Sequence, residues 1–219
     1  MAEHYEISKT RTNVSPNPVL VEQTAYLGRV MGALEMVPYV QGKGWAGNIG
    51  FREVSYKDER IIWVTSSGCE IDRITSNDIV GIKETQDGIV YWGAPDKKPT
   101  SEWENYWVLF QKRPDVNAIL HGHDLLALET AEALRDAFPK EVALTRGVTP
   151  FGNAEFRDQI AEIVTPTNTY LIGREHGFFA LGRTFEEAGM LALRFRSLAT
   201  QAMIGEERYQ AMLKRYHIG

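Results

Sequence analysis

The chain has 219 residues, of which 43% are hydrophobic, which is sufficient for one domain with a substantial buried core. Its formal net charge is −5 and its 24 Lys and Arg residues are scattered, which excludes the basic stripe needed for a nucleic-acid partner. No run approaches the roughly 18 apolar residues of a membrane span and no signal-peptide pattern occurs, so we expect a soluble, cytoplasmic protein with no membrane partner, in which the single cysteine, Cys69, fits a reducing compartment.

The first half of the chain predicts an arm, a helix and a group of strands. Residues 1–17 are polar and indicate a weakly ordered N-terminal arm, followed by a single domain at 18–219. Apolar residues recur at a helical spacing from Val19 to Met36, and this helix is predicted to end near Pro38. Short strands are then predicted at 48–54, 60–65, 79–84 and 88–92.

The second half alternates helices with strands. A helix is predicted from Ser101 to Lys112, and it is expected to end there because Pro114 follows closely. The remaining predicted elements are strands at 117–121, 142–144, 169–172 and 177–181, and helices at 124–137, at 154–164, from Thr184 and from Glu206 to Tyr216. Thr184 and Glu187 have the spacing of a capping box. Together these elements predict a single α/β domain with a mixed central β-sheet covered by helices on both faces.

Three histidines are the strongest candidates for chemistry. His121 and His123 are separated by one residue at the end of a predicted strand, so their side chains point to the same face of the sheet. His176 lies in a predicted loop between two strands. Neutral imidazoles suit zinc, and three protein ligands leave one position open for a substrate. Taken from the residues alone, each of these histidines also fits an ordinary surface or core position.

Several motifs occur together in an order that carries a resemblance. They are Gly47-Asn48, Thr65-Ser66-Ser67-Gly68, Pro99-Thr100-Ser101-Glu102, the segment RPDVNAILHGH at 113–123, Glu175-His176-Gly177 and the segment 182–188. In these motifs the chain resembles the class II aldolase and adducin family from about residue 18 to its C-terminus, and within that family most closely the fuculose-phosphate aldolases. The RPDVNAILHGH segment is the most specific of them.

The resemblance implies a site and a reaction. It implies that His121, His123 and His176 hold a zinc ion, with Glu102 beside them as catalytic base and as a further candidate ligand. It implies a substrate phosphate site at Gly47, Asn48, Ser67, Gly68, Thr100 and Ser101, and a contact between Tyr216 and the aldehyde end of a sugar in a neighbouring subunit. The reaction would be cleavage of a short ketose 1-phosphate, similar to fuculose 1-phosphate, to dihydroxyacetone phosphate and an aldehyde, in a homotetramer. Imidazole ligands also accept cobalt, iron or manganese.

Other interpretations of these residues remain open at the level of sequence. Glu102 also fits a first-turn carboxylate of a helix, and each of the Gly, Asn and Ser pairs fits an ordinary turn. Related pentulose-phosphate epimerases have aspartate where Glu102 stands, and the related dehydratases lack a glutamate there. Related decarboxylases keep the glutamate but have lysine where this chain has Ser101. A non-catalytic interaction domain of the adducin type would lack the three histidines.

The resemblance weakens after the histidine pair. Between His123 and Phe151 the chain is several residues shorter than the fuculose-phosphate aldolases, and the missing stretch carries the tyrosine that donates a proton to the sugar in those enzymes. No tyrosine occurs between Tyr106 and Tyr170. We therefore expect a different proton donor or a different aldehyde.

Overall fold

A computed structural model describes residues 7–10, 14–41, 44–54, 60–86, 88–149 and 153–215. Its strands are β1 (Ile7–Lys9), β2 (Tyr39–Val40), β3 (Gly44–Trp45), β4 (Gly47–Val54), β5 (Arg60–Thr65), β6 (Ile79–Thr85), β7 (Gly88–Trp92), β8 (Ala118–Gly122), β9 (Val142–Leu144), β10 (Tyr170–Gly173) and β11 (Gly177–Gly182). Its α-helices are α1 (Pro18–Ala33), α2 (Trp103–Lys112), α3 (Leu125–Glu129), α4 (Ala131–Ala137), α5 (Ala154–Ile163), α6 (Phe185–Ile204) and α7 (Glu206–Arg215).

Nine of these strands pair in one mixed sheet. Their order across the sheet is β1-β7-β6-β5-β4-β8-β11-β10-β9, while β2 and β3 form a separate hairpin. The pairs β1–β7 and β9–β10 are parallel, and the other pairs are antiparallel. The predicted mixed sheet is therefore confirmed, and β4, β8 and β11 lie near its centre.

Helices cover both faces of the sheet, as predicted. On one face α1, α3, α4 and α6 pack over a core that includes Met31 and Phe195. On the other face α2 and α5 pack over a core that includes Tyr106, Phe110 and Phe156. The α2 layer approaches closely because Gly50 has no side chain: a Cβ there would lie 2.3 Å from Cδ1 of Tyr106.

Most predicted elements are present, with three differences. The helix predicted at 124–137 is wrong as a single element, because it divides at Thr130, whose backbone (φ −106°, ψ 11°) leaves the helical region. The capping box at Thr184 is half formed: the Thr184 side chain accepts from the Glu187 N–H (3.1 Å), whereas the Glu187 carboxylate accepts from the Arg183 N–H (2.7 Å). The first helix ends at Ala33, before the predicted end near Pro38.

The chain termini bear on two predictions. Part of the segment predicted as an arm, Ile7–Lys9, forms an edge strand along β7, while α1 begins at Pro18 as predicted. The division into an arm and one domain stays a prediction. Tyr216 lies outside the described residues. None of the described helices combines the length and the apolar character that crossing a membrane requires.

Candidate metal centre and its cavity

The three histidines predicted as ligands converge at one end of the central strands β8 and β11. His121 and His123 come from the end of β8, and His176 comes from the turn that joins β10 to β11. Because β8 pairs directly with β11, the turn lies beside the histidine pair. One ligand atom of each histidine lies within 4.8 Å of the others, and Nε2 of His121 is 3.2 Å from Nε2 of His123.

The ring of His121 is oriented for coordination by its surroundings. Its Nδ1 lies 2.8 Å from the Phe178 carbonyl oxygen, so this nitrogen carries the proton and donates, which leaves Nε2 with a lone pair. The ring stacks on Phe179 with centroids 4.3 Å apart. His176 is held in the same manner by Phe156, at 4.0 Å.

Burial keeps these imidazoles neutral at ordinary pH. It lowers the pKa of His123 to about 4. Burial, followed by the neighbouring His123, lowers the pKa of His176 to about 3, and the same causes together with His176 hold the pKa of His121 well below its usual range. The neutral imidazole is the form that coordinates metal.

The spacing of the nitrogens fits a divalent ion. Two nitrogens that each lie about 2.0–2.1 Å from one ion at a tetrahedral angle are about 3.3–3.4 Å apart. The 3.2 Å between the Nε2 atoms of His121 and His123 is close to this distance. The buried histidine triad can therefore hold a metal ion, and its donor set alone does not specify which one.

Two glycines make the close packing of the triad possible. A Cβ at Gly122, between the two histidines of β8, would lie 2.4 Å from the Met36 carbonyl oxygen. A Cβ at Gly177, directly after His176, would lie 2.5 Å from the Gly122 carbonyl oxygen and 2.9 Å from Cε1 of His121. Larger residues at either position would move the histidines apart.

Glu102 lies beside the triad at the beginning of α2. Its side chain is buried, and its Oε1 lies 3.7 Å from Nε2 of His176. The Asn105 side-chain amide donates to the other carboxylate oxygen of Glu102. The sequence analysis did not predict a role for Asn105. Its position one turn after Glu102 on a predicted helix does indicate that the two side chains can meet.

The residue after the histidine pair anchors this part of the chain. Asp124 is buried, and its Oδ1 accepts from the Leu126 N–H (3.0 Å) at the start of α3 and from the Arg196 guanidinium (2.7 Å) on α6. The anchor ties the end of β8 to the long helix behind the sheet. This partner could not be predicted from sequence, because 72 residues separate Asp124 from Arg196.

A cavity of about 530 Å³ joins the triad to the residues predicted to bind phosphate. Its described lining includes Glu102, His123 and His176. It also includes all six residues of the predicted phosphate site, namely Gly47, Asn48, Ser67, Gly68, Thr100 and Ser101. Residues that the sequence prediction missed complete the wall, among them Val40, Trp45, Ser66, Val148, Thr149 and Glu175.

The residues of the predicted phosphate site are not equally available to a ligand. The Tyr106 hydroxyl lies 2.9 Å from the carbonyl oxygen and 2.6 Å from the side-chain oxygen of Asn48, which leaves the Asn48 side-chain NH₂ as the donor for another group. The N–H groups of Ser67 and Thr100 donate to the carbonyls of Lys98 (2.9 Å) and Thr65 (3.1 Å). Backbone donors at these two positions are therefore already used, and their hydroxyls are the groups that remain.

No tyrosine occurs among the described residues that line the cavity. The predicted contact of Tyr216 lies outside the described part of the chain and stays a prediction. One residue at the rim has an unusual backbone: Glu175, directly before His176, has a φ of 54°. This left-handed conformation is one that glycine or asparagine normally occupies.

Comparison with known proteins agrees with these features. The family model described as the class II aldolase and adducin N-terminal domain matches residues 22–203. The chain therefore belongs to the class II aldolase and adducin family.

Its relatives include sugar-phosphate aldolases. The chain is 30% identical over 183 residues to a 5-methylthioribulose-1-phosphate/5-deoxyribulose-1-phosphate aldolase of Rhodospirillum rubrum, covering 80% of this chain and 78% of the relative. It is 28% identical over 178 residues to the L-fuculose phosphate aldolase of Escherichia coli K12, covering 76% of each. The solved L-fuculose 1-phosphate aldolase of Glaciozyma antarctica has the same fold, with a TM-score of 0.67 and 17% identity over 86% of this chain and 74% of that one.

Proposed function

We propose that this chain is a zinc-dependent lyase that cleaves a short ketose 1-phosphate to dihydroxyacetone phosphate and an aldehyde. The observation that carries the proposal is one cavity lined by two histidines of the triad, His123 and His176, by the buried carboxylate of Glu102 and by three pairs of small polar residues. The names of two similar proteins, the Rhodospirillum rubrum and Glaciozyma antarctica aldolases, specify ketose 1-phosphates, which supports this substrate class. We further propose a cytoplasmic homotetramer, as the family resemblance implies.

His121, His123 and His176 would hold the ion. When bound there, zinc supplies a Lewis acid that withdraws electron density from the carbonyl group of the substrate. The protein supports this arrangement through the Phe178 carbonyl, which accepts from Nδ1 of His121 and directs Nε2 inward. Cobalt, iron and manganese remain alternatives, because imidazole nitrogens bind them as well.

Glu102 would move the proton at carbon 3 of the sugar. In the cleavage direction the carbon 4 hydroxyl loses its proton to water as the bond between carbons 3 and 4 breaks, and the protonated carboxyl of Glu102 then gives a proton to carbon 3. In the reverse direction the carboxylate removes the proton from carbon 3. Asn105 donates to the carboxylate and so restricts its rotation. The 3.7 Å between Glu102 Oε1 and His176 Nε2 also agrees with the predicted role of Glu102 as a further ligand.

The phosphate would lie among neutral donors at the other side of the triad. The Asn48 side-chain amide and the hydroxyls of Ser67, Thr100 and Ser101 line this part of the cavity. Thr100 and Ser101 also precede α2, where the helix dipole favours an anion. This arrangement would fix the substrate so that its carbonyl group faces the histidines.

The test begins with metal content. Elemental analysis of the purified protein should find about one divalent ion per chain. Fuculose 1-phosphate, ribulose 1-phosphate and their 5-deoxy relatives are then assayed for release of dihydroxyacetone phosphate, with and without a chelator. Release that the chelator abolishes supports the proposal. A bound metal without release from any of these sugars would point to an epimerase, dehydratase or decarboxylase, and a protein that binds no metal would favour an adducin-like interaction domain.

Substitution tests the role of Glu102. Glu102→Gln should retain the metal and lose turnover by about 10²–10⁴-fold, the usual contribution of a positioned acid or base. The matched control is Glu186→Gln, which removes an exposed carboxylate from the first turn of α6 and should leave turnover unchanged. Turnover at the wild-type level in Glu102→Gln would refute the assignment.

A further inference from the structure

The order of the strands shows which residues lie at each end of the cavity. Ser67 and Gly68 follow β5, Gly47 and Asn48 begin β4, His121 and His123 end β8, His176 and Glu175 precede β11, and Val148 and Thr149 follow β9. Across the sheet these elements follow the order β5-β4-β8-β11-β10-β9. Gly47-Asn48 and Ser67-Gly68, which belong to the proposed phosphate site, therefore lie to one side of the histidines. The turn with Glu175 and the loop after β9 lie to the other side. We refer to this second side, lined by Val148, Thr149 and Glu175, as the far end.

The charges on the cavity wall are of one sign. Among its described lining residues, the only charged side chains are the carboxylates of Glu102 and Glu175, and neither lysine nor arginine is present. Glu102 is buried beside the triad, whereas Glu175 is exposed at the far end. Within the described part of the chain, no hydrogen bond or ion pair engages the Glu175 carboxylate.

The cation next in sequence to Glu175 is engaged elsewhere. The guanidinium of Arg174 forms an ion pair with Glu132 (2.5 Å) and donates to the Thr145 carbonyl oxygen (2.7 Å). It is therefore held on the side of α4 and β9, and it neutralises a different carboxylate. Glu175 consequently adds a negative charge at the far end, and no described lining residue carries an opposing charge.

The backbone conformation of Glu175 does not favour a glutamate at this position in the turn. With a φ of 54°, this position favours glycine, since a Cβ is strained in the left-handed region. Strained residues of this kind cluster at binding and catalytic sites. Glu35 has the same backbone conformation (φ 55°), but only Glu175 combines it with a place on the cavity wall.

We propose that Glu175 sets the charge specificity of the far end, so that the site accepts ketose 1-phosphates with an uncharged aldehyde end and rejects those with a second anionic group. The inference rests on the proposed function, because the proposed position of the phosphate defines which end of the sugar reaches Glu175. A hydroxyl at the far end donates a hydrogen bond to the carboxylate. A second phosphate or a carboxylate there meets like charge, and the described lining supplies no lysine or arginine to offset it.

The test compares two sugars that differ by one phosphate group at carbon 5. Ribulose 1-phosphate and ribulose 1,5-bisphosphate are titrated calorimetrically into zinc-loaded protein, in a Glu102→Gln background in which the proposed function predicts binding without cleavage. Whichever phosphate of the bisphosphate enters the phosphate site, the other lies toward the far end. The same titrations are made after adding Glu175→Gln, which keeps the size of the side chain and removes its charge.

The matched control is Glu35→Gln. Glu35 is also an exposed glutamate with positive φ (55°), but it follows α1 and is not among the lining residues. Elemental analysis of each variant verifies equal zinc content, so that a change in affinity for the ion is not mistaken for a change in affinity for the sugar.

We expect the parent protein to prefer the monophosphate, and Glu175→Gln to reduce this preference by about tenfold, the effect of one like charge at about 6 Å in a partly hydrated cavity. Added salt should reduce the preference of the parent protein and leave that of Glu175→Gln unchanged, because ions screen the repulsion. Glu35→Gln should behave as the parent. An equal preference with and without the Glu175 charge overturns the inference and leaves the proposed function in place. Failure of both sugars to bind overturns both.

Discussion

The Tyr106 hydroxyl offers a test of how the wall of the cavity is held. Tyr106 is fully buried, its ring packs over Gly50, and its hydroxyl is within hydrogen-bond distance of two oxygens of Asn48. Tyr106→Phe keeps the ring and removes the donor, leaving buried acceptors without it. A lost hydrogen bond with a buried partner left behind costs about 2 kcal/mol. For a chain of this length that corresponds to a fall of about 4–8 °C in melting temperature.

The same substitution separates binding from chemistry. The Asn48 side chain loses the contact that orients it, so the KM for the sugar phosphate should rise about five- to tenfold while kcat changes less than about twofold, because the phosphate lies away from the reacting carbons. Thermal unfolding and steady-state kinetics measure the two effects. The control is Tyr26→Phe, whose tyrosine is 60% exposed. If Tyr106→Phe matches the control in both stability and KM, the reasoning that Tyr106 orients Asn48 is refuted.

Three further outcomes follow from the site. In metal-free protein the folded-state pKa values of about 4 for His123 and about 3 for His176 lie below the usual 6.5. The unfolded chain therefore takes up protons first, so urea titrations should show the free energy of unfolding falling as pH drops from about 6.5 to about 3 and staying level above that window. A flat profile there would contradict the assigned burial. Glu175→Gly should raise the melting temperature by about 2–4 °C through relief of about 1 kcal/mol of left-handed strain, which calorimetry can check. Gly177→Ala, whose Cβ would lie 2.9 Å from the His121 ring, should weaken zinc binding at least about tenfold in a competition titration, and unchanged affinity would show that the triad is not tightly packed.

Local patterns predicted much of the fold. The ranges 60–65, 88–92 and 142–144 agree with β5, β7 and β9, since short runs of β-branched and aromatic residues between turns are strong strand signals. The side-by-side placement of His121 and His123 follows from the two-residue period of a strand. The break at Thr130 was missed because it is a change in the backbone angles of one residue, which the apolar periodicity of the helix does not reveal.

The site was predicted from motifs rather than from spacing. No sequence rule places Asn48 opposite His121, yet β4 and β8 pair in that register. The support of Asn48 by Tyr106 depends on the angle at which α2 crosses the sheet, which the sequence pattern does not give, whereas the support of Glu102 by Asn105 is local to the start of α2. No role was predicted for Glu175, which belongs to the motif Glu175-His176-Gly177. Neither its left-handed backbone nor its place on the cavity wall can be predicted from residue type.

The central position of the site in the sheet has a consequence for how the protein folds. Gly47 pairs with Gly122 across β4 and β8, and Gly122 pairs with Phe178 across β8 and β11, so the ligands meet only after two distant stretches of chain have joined. Such long-range pairing forms slowly. If the triad is complete only after the folding transition state, an ion bound there stabilises the native state alone. Zinc would then lengthen the lifetime of the folded protein by slowing unfolding, with little effect on the rate of refolding.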